Sequence, residues 1–201
     1  LAVYGCLLGY NSIAEEMKDK HLKKFIEKLG YEEGLPVVVD PGIIKPEEFL
    51  KEVIEERLPN PFVPDTPQRI ACDTSQKIPV RFGETLKAYI STGKRDISTL
   101  TYIPLFFAGW LRYLMGIDDE GKPFAPSPDP MLEVLQGYIK DISLGDKGPF
   151  TDSLKPILSD EKIFGVDLYK YKLAPKVENM FTELVAGKGA VRKTLEKYVS
   201  D

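Results

Sequence analysis

Residues 97–116 place Leu100, Ile103, Leu105, Phe106, Phe107, Trp110, Leu111 and Leu114 around every side of a helical wheel. A helix that is apolar all round needs neighbours on every face, so in a water-soluble fold it belongs at the buried centre. Its most apolar part, residues 103–115, spans 13 residues and contains Arg112, too short and too charged to cross a bilayer. A chain of 201 residues is long enough to wrap one large domain around such a centre.

The surrounding segments read as helices. Ser12 with Glu15 three residues on has the spacing of a capping box. From residue 19 to about 33, Leu22, Phe25, Ile26 and Leu29 recur at intervals of three and four, opposite a Lys-rich face. Residues 45–58 have Pro46 in the first turn, Glu47 and Glu48 near the positive end of the helix dipole, and Phe49, Leu50, Val53 and Ile54 directed inward. Asp65 or Thr66 serves as N-cap ahead of Pro67. The helix that follows is expected to run toward Lys77, to be disturbed at Pro79 and to resume through Phe82, Leu86 and Ile90 until Gly93. Further helices are expected at about 129–141, 151–158, 175–186 and 190–199. The run Val37-Val38-Val39 could form a brief strand but has no evident partner. The class expected is all-α, a single helical domain over 1–201. Leu1 to Tyr10 lack an N-cap residue and first-turn acids, which suggests the middle of a helix and a chain cut from a longer protein.

Charge and cysteine content remove several functions. The net charge of −4, with Lys and Glu interspersed, offers no basic surface for nucleic acid. One histidine and two scattered cysteines argue against a structural zinc site or a disulfide framework, and fit a reducing, cytoplasmic setting. No signal peptide or membrane span is expected from these residues.

The chemistry concentrates in residues 60–79. Arg69, Asp73 and Lys77, spaced four apart, would drift only about 40° per step on a continuous helix and share one face. That face is either a solvated ladder of ion pairs or a clamp for an anion or polyol, Arg supplying a planar fork of donors and Lys a point charge. Ala71, Thr74 and Ser75 are small enough to admit a ligand. Elsewhere the plain readings prevail. His21 is taken as a surface residue, residues 118–121 as a solvated turn without calcium-loop spacing, and Trp110 with Phe106 and Phe107 as core. Tyr169, Tyr171 and Lys172 are taken as surface covering, and Gly187-Lys188-Gly189 as a helix-to-helix connection, not a phosphate loop.

Asn60-Pro61, Asp65-Thr66, Arg69, Asp73, Ser75, Lys77 and Pro79 resemble the signature region of the polyol and hexuronate dehydrogenases, the family that includes mannitol 2-dehydrogenase and fructuronate reductase. The likeness continues in Ala108-Gly109-Trp110-Leu111-Arg112, in the acidic-Gly stretch up to Gly121, in the opening Leu1-Ala2-Val3-Tyr4-Gly5, and in Gly189-Ala190-Val191-Arg192. It thus spans nearly the whole chain. It implies the helical C-terminal domain of such an enzyme, resembling that of 6-phosphogluconate dehydrogenase. An N-terminal Rossmann domain, absent from this chain, would bind NAD or NADP. Catalysis in the family is metal-independent, and its Lys, Asn and His are expected just upstream of Leu1, so no residue here takes those roles. By position, Arg69 and Lys77 match the two substrate-contacting cations of this domain. The implied reaction interconverts D-fructuronate and D-mannonate, with mannitol and fructose as the alternative substrate pair. A stand-alone helical interaction module is the rival from another class, and it would need an exposed apolar groove.

Overall fold

The computed structural model describes residues 1–200. In chain order the helices are α1 (Ala2–Leu8), α2 (Ile13–Glu16), α3 (Lys20–Lys28), α4 (Pro46–Glu52), α5 (Pro67–Ile70), α6 (Thr74–Ile78) and α7 (Glu84–Thr92). They continue with α8 (Tyr102–Leu114), α9 (Leu132–Ile139), α10 (Thr151–Leu158), α11 (Glu161–Phe164), α12 (Ala174–Leu184) and α13 (Ala190–Val199). Wide π-type turns extend α3 over Leu29–Gly34 and α4 over Val53–Arg57, and join α6 to α7 over Pro79–Gly83. Among the described residues the chain forms no strand, only an isolated bridge between Ile117 and Pro123. Val37 closes a short 3-10 turn, so the possible Val37–Val39 strand does not form.

Local sequence sets most helix starts. The Ser12 side chain accepts from the Glu15 amide at 3.2 Å, and Glu15 in turn accepts from the Asn11 amide. Asp19 accepts from the His21 and Leu22 amides at the head of α3, and Thr66 from the Arg69 amide at the head of α5. These bonds satisfy amides that the first helical turn leaves without partners. Gly9, at φ 77°, ends α1 in the left-handed conformation that glycine adopts without strain.

Every residue of α8 is buried, as its apolar circumference requires. α12 runs along one side of it and α1 crosses another. The α1 crossing is close because Gly109 has no side chain: a Cβ there would lie 2.5 Å from the ring of Tyr4. The Tyr4 hydroxyl donates to the Leu105 carbonyl at 2.8 Å, so this buried phenol loses no hydrogen bond. Phe107 and Trp110 meet Phe164 edge-on, with ring centroids 4.7 and 6.0 Å apart.

Several side chains that look solvated in the sequence are structural. Glu33 is fully buried, and its carboxylate accepts from the Thr101, Tyr102 and Ile103 amides at the start of α8. Asp119, expected in a solvated turn, is buried and accepts from the Val191 and Arg192 amides of α13 at 2.8 and 3.1 Å. Both are carboxylates at helix N-termini, where free amides and the helix dipole favour negative charge. Arg112 is also buried, donating to the carbonyls of Leu184, Ile117 and Asp118, and burial lowers the pKa of its guanidinium. His21 is not plain surface: its ring is half-buried, with Nδ1 3.4 Å from Glu196. Phe49, expected inward, is 44% exposed and lies in a patch with Val38, Val39, Ile43 and Ile44. Tyr169 is tied to Glu178 through its hydroxyl.

Candidate functional site: a groove beside a broken helix

The helix expected to carry Arg69, Asp73 and Lys77 on one face is interrupted. α5 ends at Ile70, and Asp73 takes the left-handed conformation, φ 53° and ψ 36°. Aspartate is among the few side chains that tolerate this region. The Asp73 amide donates to the Pro128 carbonyl at 2.9 Å, and its own carbonyl accepts from the Lys77 amide at 3.1 Å as α6 begins. A tertiary contact thereby turns the chain where local propensity would carry the helix on.

The break separates the expected partners. Arg69 pairs with Asp65, one turn earlier, and its side chain is 65% exposed. Lys77 Nζ reaches back to the Ile70 carbonyl at 2.9 Å. Neither cation pairs with Asp73, so the ion-pair ladder does not form.

The restart of α6 is fixed by Asp129. Its carboxylate accepts from the Ser75 amide at 2.7 Å, the Ser75 hydroxyl at 2.6 Å and the Thr74 hydroxyl at 3.3 Å. It also accepts from the Met131 amide at 2.9 Å. The Trp110 indole N–H donates to Thr74 Oγ1 at 3.0 Å, linking α6 to the central helix. Of the small residues expected to leave room for a ligand, Ser75 is buried and engaged in holding α6, whereas Ala71 and Thr74 line the groove on its other side.

The opposite side of this segment borders an open groove of about 340 Å³. Leu1, Ala2 and Val3 form one wall, with Phe106 from α8. The other wall contains Ile70, Ala71, Thr74, Lys77, Ile78, Arg81 and Phe82. Phe82 stacks on Phe106 with centroids 4.3 Å apart. The groove is apolar with two cations in it, an arrangement that binds a small anionic or hydroxylated molecule by desolvating it against fixed donors. Lys77 therefore stands in the groove, whereas Arg69 lies outside its lining. Arg81 was not singled out from sequence. Its signal was the spacing of four from Lys77, obscured by the helix-breaking Pro79 between them.

A larger depression of about 470 Å³ lies between the end of α8, α9 and residues 142–144. Lys140 is the one charged side chain in its lining, and the Gln136 amide there already donates to the Leu114 carbonyl at 2.8 Å. It offers one cation where the groove beside α6 offers two. Glu16, outside both, is fully buried against Gly5 with neither carboxylate oxygen hydrogen-bonded, and burial pushes its carboxyl up to about 7.

Among the described residues no three His, Cys, Asp or Glu side chains gather as metal ligands. The same residues include no strand followed by a glycine-rich turn to cradle a dinucleotide. Gly187-Lys188-Gly189 joins α12 to α13, with the Gly189 amide donating to the Asp119 carbonyl at 2.9 Å. No helix of the described residues is long and apolar enough to cross a membrane.

Residues 1–185 match the family model described as the mannitol dehydrogenase C-terminal domain. A D-mannonate oxidoreductase of Thermotoga maritima is 59% identical over 99% of this chain, which spans 37% of that protein. A mannitol 2-dehydrogenase of Neosartorya fischeri is 31% identical over 97% of the chain and 36% of its own length. In the fold, Pseudomonas fluorescens mannitol 2-dehydrogenase, solved as a ternary complex with NAD and D-mannitol, superposes with a TM-score of 0.80. That match covers 98% of this chain and 37% of the other at 24% identity, a likeness of architecture. The chain thus spans little more than a third of the length of these relatives. The all-helical architecture, the buried Trp110 helix and the match over residues 1–185 agree, and the chain belongs to the mannitol dehydrogenase C-terminal domain family.

Proposed function

We propose that this chain is the substrate-binding domain of an NAD(P)-dependent oxidoreductase that interconverts D-fructuronate and D-mannonate. The observation that carries the reading is Lys77: an ammonium in an apolar groove, on a segment held in place by Asp129 and Trp110. Such a fixed donor positions a sugar hydroxyl or carbonyl oxygen at little cost in reorganisation. Identity of 59% to a D-mannonate oxidoreductase favours the sugar acid over mannitol and fructose as the substrate pair.

Lys77 contacts the sugar directly in this reading. Arg69 contributes as the second cation only after exchanging Asp65 for the substrate, since that pair holds it outside the groove. In this reading the dinucleotide is held by an N-terminal Rossmann domain of the full-length protein, as the family resemblance implies. When bound, the nicotinamide supplies or accepts the hydride, and this chain's contribution is to hold the sugar against it. In this reading the full-length enzyme acts on a small-molecule sugar acid in the cytoplasm, which the two unpaired cysteines support.

A stand-alone interaction module would use a different surface. Val38, Val39, Ile43, Ile44 and Phe49 do form an exposed apolar patch, but it carries none of the groove's fixed donors. The test is NADH oxidation by the full-length protein with fructuronate and fructose at equal concentrations. Preference for fructuronate is expected. Preference for fructose would move the assignment to mannitol oxidation, and turnover of neither would remove it.

A further inference from the structure

Arg81 is the one arginine of six that has no hydrogen bond or ion pair from its guanidinium among the described residues. Arg57 is held by Glu52, Arg69 by Asp65, and Arg192 by Asp19. Arg95 is bonded to Thr99, and Arg112 to three carbonyls. An arginine has five donors and a strong preference for planar oxygen pairs, and the exposed Arg81 keeps all five for water or a ligand. Here the idle one lines the groove that holds Lys77, four residues further along the chain. Lys77 already donates to the Ile70 carbonyl, so its remaining capacity suits a single oxygen. The stacked rings of Phe82 and Phe106, one from each wall, set an apolar surface beside the two cations, and a carboxylate that displaces water from it gains a stronger charge-assisted bond.

We propose that Arg81 binds the carboxylate of the sugar acid and is the residue that selects an acid over a neutral ketose, with Lys77 taking a hydroxyl or carbonyl oxygen of the same molecule. This rests on the oxidoreductase reading above. It moves the carboxylate contact from Arg69, which is paired and outside the groove, to a guanidinium that is neither.

The full-length enzyme and its Arg81→Ala, Arg81→Lys and Arg69→Ala variants are compared for kcat/KM on fructuronate and fructose, with KM for NADH measured in parallel. Arg81→Ala is expected to lower kcat/KM for fructuronate by about 10- to 100-fold, mostly through KM, the size of a lost charge-assisted pair. kcat/KM for fructose should fall at least about tenfold less than for fructuronate, because a neutral ketose offers Arg81 no carboxylate, and KM for NADH is read as the control for a loss at the cofactor. Arg81→Lys should recover part of the loss on the acid, since the charge returns without the fork. An unchanged acid-to-neutral ratio in Arg81→Ala would overturn the assignment. So would collapse of that ratio in Arg69→Ala instead, or a loss confined to KM for NADH, which would make Arg81 a contact for the cofactor's phosphates. Wild-type enzyme inert on both sugars would sink the oxidoreductase reading itself, an outcome separable from failure of Arg81.

Discussion

One side of the segment from residue 66 to 83 is fully bonded, and the other is not. Toward the core, Thr74 and Ser75 meet Asp129 and Trp110, and every hydrogen-bonding group they bury has a partner. Toward α1, Lys77 spends one donor on a backbone carbonyl and Arg81 spends none, with apolar side chains around them. The first side resembles a well-satisfied protein interior and the second a site awaiting a ligand. The two are connected, because a donor can wait in one place only if something else holds it there. Substitutions on the bonded side should therefore read out in stability, and substitutions on the open side in turnover.

The largest separation is expected from Lys77→Ala in the full-length enzyme. kcat/KM on the true substrate should fall by roughly 10- to 1000-fold while Tm stays close to wild type. A large drop in Tm with normal turnover per folded molecule would place Lys77 on the structural side. Asp129→Ala should behave in the reverse order. It strands the amide of Ser75, which is 1% exposed, and should cost about 2–4 kcal/mol of stability, seen as a Tm lower by about 10 °C. If the variant melts with the wild type, α6 is not fixed by that carboxylate.

Glu16 sharpens the contrast between satisfied and unsatisfied buried carboxylates, since Glu33 and Asp119 each accept backbone amides and Glu16 accepts none. Its carboxyl is raised from 4.5 to about 7 in the folded chain. Between those values the folded state keeps a proton that the unfolded state releases. Stability is then lost as pH rises through that window and levels off above about 7. Glu16→Gln should remove that slope, leaving the variant more stable than wild type at pH 8 by at most about 3 kcal/mol. Parallel stability curves for the two proteins from pH 5 to 8 would refute it. The smallest stability effect is expected at Arg69→Ala: its ion pair with Asp65 is surface-exposed, so Tm should not move measurably in thermal unfolding.

What the sequence made legible follows the range of the interactions. Caps at Ser12 and Thr66 were readable because the side chain and the amide it satisfies lie three residues apart. α8 was readable because all-round hydrophobicity has one outcome in a single domain. The break at Asp73 was not, because it depends on the Pro128 carbonyl, distant in the chain. Glu33 and Asp119 were missed for the same reason: each looks like a surface acid until the helix start it serves, about seventy residues on, is known. At the site, Lys77 was legible from its motif and enters the groove, whereas Arg69 shares the motif but is turned away by its pairing with Asp65. Arg81 lay one turn beyond, concealed because Pro79 suggests a helix end where the chain makes a π-type turn and continues.

The most direct measurement is a crystal structure of the full-length enzyme with D-mannonate and the oxidised nicotinamide cofactor. The sugar should lie in the groove between Ala2, Ala71 and Phe106, with one of its oxygens about 3 Å from Lys77 Nζ and its carboxylate on Arg81. A sugar bound in the depression beside Gln136, or anywhere out of reach of Lys77, would contradict the assignment of this groove as the substrate site.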